Sequence, residues 1–195
     1  FGGWWPNVIL KVFAPEAGAI SWWPRQMPKV GMPRSMSSRD EAMALAERLI
    51  REQIARANTA IFTTSQNNPE CAGMGTTLVV CLFYDNFLSV AHIGDSRLYR
   101  LRGEAMEQVT RDHSLLQEQI DIGLITAEEA AVSGNRNLVT RALGVEDTVL
   151  VDLQEVPLQA GDLYLLCSDG LNEMVADGDI AAVLAGAEAL DAKAR

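Results

Sequence analysis

A chain of 195 residues with 48% hydrophobic content is long enough to bury a substantial core, and its composition carries no signature of disorder. The net charge of -10 and pI near 4.6 exclude non-specific nucleic-acid binding, which draws its affinity from Lys and Arg on phosphates. Cys71, Cys81 and Cys167 are widely spaced, with no C-x-x-C pair, so neither a disulfide framework nor a zinc site is indicated. Cys81 and Cys167 sit inside apolar runs and read as small core residues. There is no 18-residue apolar stretch and no basic, apolar and small-residue succession at the N-terminus, and the expectation is a cytoplasmic protein without a membrane span.

The first forty residues hold all four tryptophans, in Trp4-Trp5 and Trp22-Trp23, without a clean period. They predict no regular element, and they lack the basic amphipathic face that a membrane-surface segment needs. From Arg39 to about Ile61, Met43, Ala46, Ile50, Ile54, Ala57 and Ile61 recur at spacings of three and four, which predicts a helix with one apolar face. Ser38 with Glu41 forms a capping box at its start, and Thr63 to Gly73 reads as a polar loop. Gly75-Thr76-Thr77 leads into an apolar run with no Gly-Lys-Ser/Thr behind it, so it is strand entry and not a phosphate loop. Two apolar runs joined at Tyr84-Asp85-Asn86 predict a hairpin, and a third strand follows the Gly94-Asp95 kink. Leu115 to Ile122 and Thr126 to Val132 predict two short helices split at Gly123, with Thr126 and Glu129 repeating the capping-box pattern. Thr148 to Val156 alternates as a strand does, Leu163 to Ser168 is a buried strand ending in Ser168-Asp169-Gly170, and a last helix starts at Asp179. Strands and helices in this order predict an α+β fold in one domain spanning 1–195.

Two carboxylates, Asp95 and Asp169, stand where apolar strands meet Gly turns, an arrangement that holds acidic groups rigidly at a sheet edge for a hard cation. His92, inside a strand, reads as a core or edge histidine. His113, in Asp112-His113-Ser114, reads as a residue that orients a loop by hydrogen bonding, with Asp112 doing likewise.

In chain order the sequence carries Gly75-Thr76-Thr77, Gly94-Asp95-Ser96-Arg97, Asp112-His113-Ser114-Leu115, Gly123-x-Ile125-Thr126-x-Glu128-Glu129-Ala130, then Arg136-Asn137-x-x-Thr140-Arg141-Ala142-Leu143-Gly144 and Ser168-Asp169-Gly170-Leu171. That ordered set, from about Asp40 to Leu190, resembles the metal-dependent serine/threonine phosphatases of the 2C type, in particular their compact bacterial members. The resemblance implies two antiparallel sheets packed as a β-sandwich between helix layers. It implies two Mn²⁺ or Mg²⁺ ions, with Asp169 as a ligand and Asp95 able to hold a third ion. It further implies phosphoserine and phosphothreonine hydrolysis by metal-activated water without a phosphoenzyme, phosphoprotein substrates, a cognate serine/threonine kinase and a monomer. The segment Leu115 to Arg141 corresponds to the family's flap beside the site.

Elsewhere the sequence departs from the family's pattern. Val8 and Ile9 occupy positions where the family has acidic residues after an Asn, Trp4 stands where an arginine for the substrate phosphate is expected, and no Asp-Gly-x-Gly-Gly-His occurs. The last strand, with its Asp-Asn pair, is expected beyond Arg195. Between Ile20 and Ser37, codons read one nucleotide earlier can spell Asp-Ala-x-Gly-Gly-His-Ala-x-x-Asp-Val, so residues 1–38 read as an aberrant segment containing a shifted-frame copy of the metal turn, and 39–195 as the family-like region. No catalytic residue is assigned, and the chain as written is expected to be inactive. The alternative is a pseudophosphatase that binds a kinase or phosphoprotein without turnover.

Overall fold

A computed structural model describes residues 11–13, 39–84, 86–134 and 138–186. The capping residue Ser38, the Trp-rich and frame-shifted segments, Val8 and Ile9, and the final stretch from 187 lie outside the described residues. The described residues divide into two compact units, one formed from 11–13, 93–134, 138–141 and 161–186, the other from 39–84, 86–92 and 142–160.

The second of these contains α1 (Arg39–Asn67) and a three-stranded sheet. Its strands β2 (Leu78–Tyr84), β3 (Phe87–Ile93) and β6 (Asp152–Pro157) run in the order β2-β3-β6. The predicted hairpin supplies β2 and β3, and β6 pairs antiparallel to β3 from Phe87↔Pro157 to His92↔Asp152. Ala42, Ala46, Ile50 and Ile54 are buried along α1, and Ala42 and Ala46 pack with Tyr84, Leu82 and Phe87. The helix runs one and a half turns past its expected end. Thr59 and Thr64 donate their hydroxyls to Ala55 O at 3.0 Å and Ala60 O at 2.8 Å, so these polar side chains are satisfied within the helix. Pro69 then opens a 3-10 turn over Pro69–Cys71, capped by Asn68.

The sequence pattern also misses Asn58, which is 1% exposed on the buried face of α1. Its Nδ2 donates to Glu146 O at 3.0 Å and Asp147 O at 3.1 Å, and its Oδ1 accepts from Gly144 N–H at 2.8 Å. Arg51 also reaches Val151 O at 3.3 Å. With those carbonyls committed to α1 side chains, the strand expected from Thr148 begins only at Asp152. Gly144, at φ +82°, lets the loop approach Ile61, whose Cγ2 lies 2.1 Å from where a Cβ would stand.

The other unit holds a four-stranded sheet in the order β1-β7-β4-β5. Its strands are β1 (Lys11–Phe13), β4 (Arg97–Arg102), β5 (Ala105–Gln108) and β7 (Leu163–Cys167). The short edge strand β1, paired antiparallel with β7 from Lys11↔Leu166 to Phe13↔Tyr164, corrects the expectation of no regular element before residue 40. Three residues are too few for alternation to register as a pattern. The helices are α2 (Leu115–Asp121), α3 (Ala127–Ala131), α4 (Asp169–Asn172) and α5 (Asp177–Ala185). Alternate residues Tyr99 and Leu101 of β4 and Leu165 and Cys167 of β7 share one face, which Ile180 and Leu184 of α5 cover. Asp162, just before β7, is fully buried and takes Arg102 Nε at 2.7 Å and Nη2 at 2.8 Å. The two antiparallel sheets and their helices make this an α+β fold.

Replacing Asn58 with Ala removes three hydrogen bonds and leaves Gly144 N–H without its acceptor, so the expected loss is about 2–4 kcal/mol. Urea unfolding checks this, with the exposed Thr59→Ala as the control. A loss for Asn58→Ala no larger than the control's contradicts the clamp.

Candidate metal centre

β4 and β7 are antiparallel neighbours whose end pair is Arg97↔Cys167. Asp95 lies two residues before that pair and Asp169 two residues after it, so the ladder delivers both to one end of one sheet. Asp95 follows Gly94, which has φ +97° and makes the kink out of β3. Asp169 begins α4, where the sequence reading places only a turn. Its Oδ1 accepts from Gly170 N–H at 2.8 Å, and its carbonyl accepts from Glu173 N–H at 2.9 Å. The signal for that helical turn is Ser168, which occupies the N-cap position. Reading it as a cap would also have placed Glu173, four residues on, beside Asp169.

The electrostatics couple these groups. Burial pushes the Asp95 carboxyl up to about 6, and the Asp169 charge adds to the rise. A hydrogen bond from its own backbone opposes the shift, while Asp112 and Glu173 reinforce it. Asp95 thus feels the charge of Asp169 and, more weakly, of Asp112 and Glu173.

The cation nearest in sequence does not offset this charge, because it is committed elsewhere. Arg97 Nε donates to Asp112 Oδ1 at 3.0 Å and Oδ2 at 3.1 Å, and its Nη2 donates to Oδ2 at 2.6 Å. Its Nη1 reaches Tyr99 Oη at 2.8 Å, and that hydroxyl donates to Asp177 Oδ1 at 3.2 Å. Burial works against the charged guanidinium, but the Asp112 carboxylate and then Tyr99 outweigh it and hold Arg97 above its ordinary range. Gln108 Nε2 gives Asp112 Oδ1 a further bond at 2.8 Å. Asp112 is therefore saturated by Arg97 and Gln108 and orients the start of β4, in keeping with the loop role expected of it.

His113 is buried and bonded to Gly94 and Thr140, also as a loop-orienting residue. His92, 3% exposed in β3, is the core histidine expected. The flap region folds as α2 and α3, with Thr126 and Glu129 completing the capping box at α3. Cys167 is buried, Cys81 is half-buried, and all three cysteines are free. Burial pushes the Cys81 thiol up to about 12 and the Cys167 thiol up to about 11, which makes both inert at neutral pH.

The sequence profile described as Protein phosphatase 2C matches residues 26–184. This chain belongs to the protein phosphatase 2C family. Among curated relatives, the serine/threonine phosphatase stp of Listeria innocua is 38% identical over 148 residues, covering 76% of this chain and 59% of its own length. The serine/threonine protein phosphatase PstP of Mycobacterium tuberculosis is 44% identical over 128 residues, covering 65% of this chain and 24% of its own length. The solved structure of serine/threonine phosphatase Stp1 from Staphylococcus aureus superposes with a TM-score of 0.73 at 32% identity, covering 83% of this chain and 62% of that one. A structure of the PstP catalytic domain in complex with two manganese ions has a TM-score of 0.65 at 38% identity, over 74% of this chain and 60% of that one. The chain spans about three fifths of the length of the first two of these phosphatase structures and of the Listeria relative. In this chain the Gly-Asp-Ser-Arg and Ser-Asp-Gly motifs lie at the ends of two paired strands.

Because folded Asp95 holds its proton more tightly than the unfolded chain does, protonation favours the fold, fully below the ordinary value of 3.8. That advantage is lost as the pH rises through about 6, above which the ionised carboxylate is a net cost. In EDTA at pH 7, Asp95→Asn is expected to stabilise the protein by about 1–2 kcal/mol, discounted for solvent screening, and the gain should vanish below about pH 4. Denaturant unfolding across that range tests this; a variant less stable than wild type at pH 7 contradicts it.

Proposed function

We propose that this chain belongs to a metal-dependent serine/threonine phosphoprotein phosphatase, with Asp95 and Asp169 as carboxylate ligands of its Mn²⁺ or Mg²⁺ site. The observation that carries the reading is the acidic crowding at Asp95, where burial and then Asp169, Asp112 and Glu173 outweigh one backbone hydrogen bond while Arg97 is committed to Asp112. Carboxylate oxygens from two rigid strand ends suit a hard divalent cation, and the donor set fits one. When bound, such ions supply Lewis acidity toward phosphoryl oxygens and acidify water for attack on phosphorus. The chain's own residues supply orientation. Arg97 fixes the first residue of β4, Gly170 N–H holds one Asp169 oxygen, and the flap stem joins the Asp95 kink through His113.

Substrates on this reading are phosphoserine and phosphothreonine proteins made by a cognate kinase. The protein would act in the cytoplasm, as a monomer, with 1–195 forming one phosphatase domain. No helix among the described residues is long and apolar enough to cross a membrane. We propose that the chain as written does not turn over, because Val8 and Ile9 replace acidic ligands and the Gly-Gly-His turn is missing from the sequence. The same observation favours a second reading, a pseudophosphatase that binds a phosphoprotein or kinase without hydrolysis.

Millimolar Mn²⁺ is expected to raise the unfolding midpoint of this chain by about 2–5 °C, and Asp169→Asn to abolish the rise. Neither p-nitrophenyl phosphate nor a phosphothreonine peptide should be hydrolysed by it. A variant carrying Asp-Gly-x-Gly-Gly-His, the acidic pair at positions 8 and 9, and an added final strand with the Asp-Asn pair should gain activity that EDTA removes. EDTA-sensitive turnover by the unaltered chain would overturn the proposed inactivity, and an Mn²⁺ response indifferent to Asp169 would overturn the metal assignment. If the variant stays inactive while Mn²⁺ still binds, the pseudophosphatase reading is the better one.

A further inference from the structure

We propose that His113 is a positioning residue that fastens the stem of the 115–141 flap to the kink carrying Asp95, so that the flap and the metal carboxylate share one mechanical anchor. The inference deepens the phosphatase reading and rests on it for the role of Asp95.

Both backbone polar groups of Gly94 are taken by this one residue. Gly94 N–H donates to His113 Nδ1 at 3.2 Å, and His113 N–H donates to Gly94 O at 3.0 Å. Gly94 needs this support, because at φ +97° it is the residue whose conformation sets the direction of Asp95. On its other side His113 holds the flap's return, since Thr140 N–H donates to His113 O at 2.8 Å. The adjoining stem is closed by Leu115 N–H on Leu138 O at 2.9 Å and by the antiparallel bridge of Ser114 with Val139. The flap thus leaves and re-enters the fold at the residue that fixes Gly94. His113 is 5% exposed, so water cannot readily replace these bonds.

Hydrogen-bond direction assigns the tautomer. A neutral imidazole has one donor and one acceptor, and Gly94 N–H occupies the acceptor at Nδ1, so the ring proton belongs on Nε2. Arg141 Nη1 approaches Nε2 at 3.4 Å, and in this tautomer that approach is proximity between two donors and not a hydrogen bond. The opposite tautomer would set Nδ1–H against the fixed Gly94 N–H, which cannot turn away. A guanidinium on a flexible side chain can.

Two isosteric substitutions separate a positioning role from simple packing. His113→Asn keeps an acceptor at the place of Nδ1, whereas His113→Gln carries its amide out to the place of Nε2. In the metal-free protein, ¹⁵N-histidine spectra should show Nδ1 unprotonated on His113, readily assigned because the chain has only two histidines. Hydrogen exchange at Gly94 should stay slow in His113→Asn and accelerate about tenfold or more in His113→Gln. Calorimetric titration with Mn²⁺ should give an affinity within about twofold of wild type for His113→Asn and about tenfold weaker for His113→Gln. Nδ1 found protonated in wild type, or equal Gly94 exchange in the two variants, overturns the proposal even if either variant folds poorly, since the wild-type spectrum decides alone. Equal Mn²⁺ affinities with unequal exchange overturn the link to Asp95. Absence of Mn²⁺ binding in wild type instead overturns the metal reading of Asp95, and exchange and tautomer still decide whether His113 is the anchor.

Discussion

The antiparallel ladder between β4 and β7 is the constraint on which the candidate site depends. Its end pair, Arg97↔Cys167, places Asp95 two residues before it and Asp169 two residues after it, one on the way in and one on the way out. A slip of one residue would carry every side chain of one strand to the opposite face and separate the two carboxylates. What prevents the slip is apolar burial. Tyr99, Leu101, Leu165 and Cys167 share the face covered by Ile180 and Leu184, and a one-residue slip would break that. The same packing that stabilises the sheet therefore sets the geometry of the acidic pair, with the hydrophobic term fixing where the charges meet.

Burial and the neighbouring acidic groups make the Asp95 charge a net cost in the protein alone. A design for stability would turn Arg97 toward them, yet its guanidinium is consumed by Asp112, Tyr99 accepts the remaining bond, and Gln108 completes the Asp112 shell. The sequence keeps a cation two residues from Asp95 and spends it on orientation. Acidic charge gathered at Asp95 while Arg97 is bonded to Asp112 is what the proposed cation site rests on, and it links the packing of β4 and β7 to the proposed chemistry. His113 extends the argument outward, because the backbone turn that aims Asp95 is held by a residue that also closes the flap stem.

Much of this was legible in the sequence, because local rules and global packing agree over most of the chain. The β2–β3 hairpin, the split of α2 from α3 at Gly123 and the capping box of Thr126 with Glu129 follow from periodicity and turn chemistry alone. Asp95 and Asp169 stood out as acidic residues at strand ends. The misses have particular causes. α1 outran its apolar stripe through polar residues such as Thr64, whose hydroxyl is satisfied within the helix. β6 began late because Asn58 and Arg51 took the backbone groups before it, an interaction some ninety residues away in sequence that no local window contains. The short strand β1 is defined by its partner β7 and not by its own pattern. Asp162, buried against Arg102, and Glu173, beside Asp169, needed the fold to reveal their neighbours.

The most direct test of the central claim is a double-mutant cycle on Asp95→Asn and Asp169→Asn, with stability measured by urea unfolding at pH 7 in EDTA. If the β4–β7 register brings the two carboxylates together, either substitution alone relieves most of their mutual repulsion, and the double variant gains less than the sum of the singles by about 0.5–1.5 kcal/mol. Additivity within about 0.3 kcal/mol would mean that the two charges do not meet, and the site as described would be wrong.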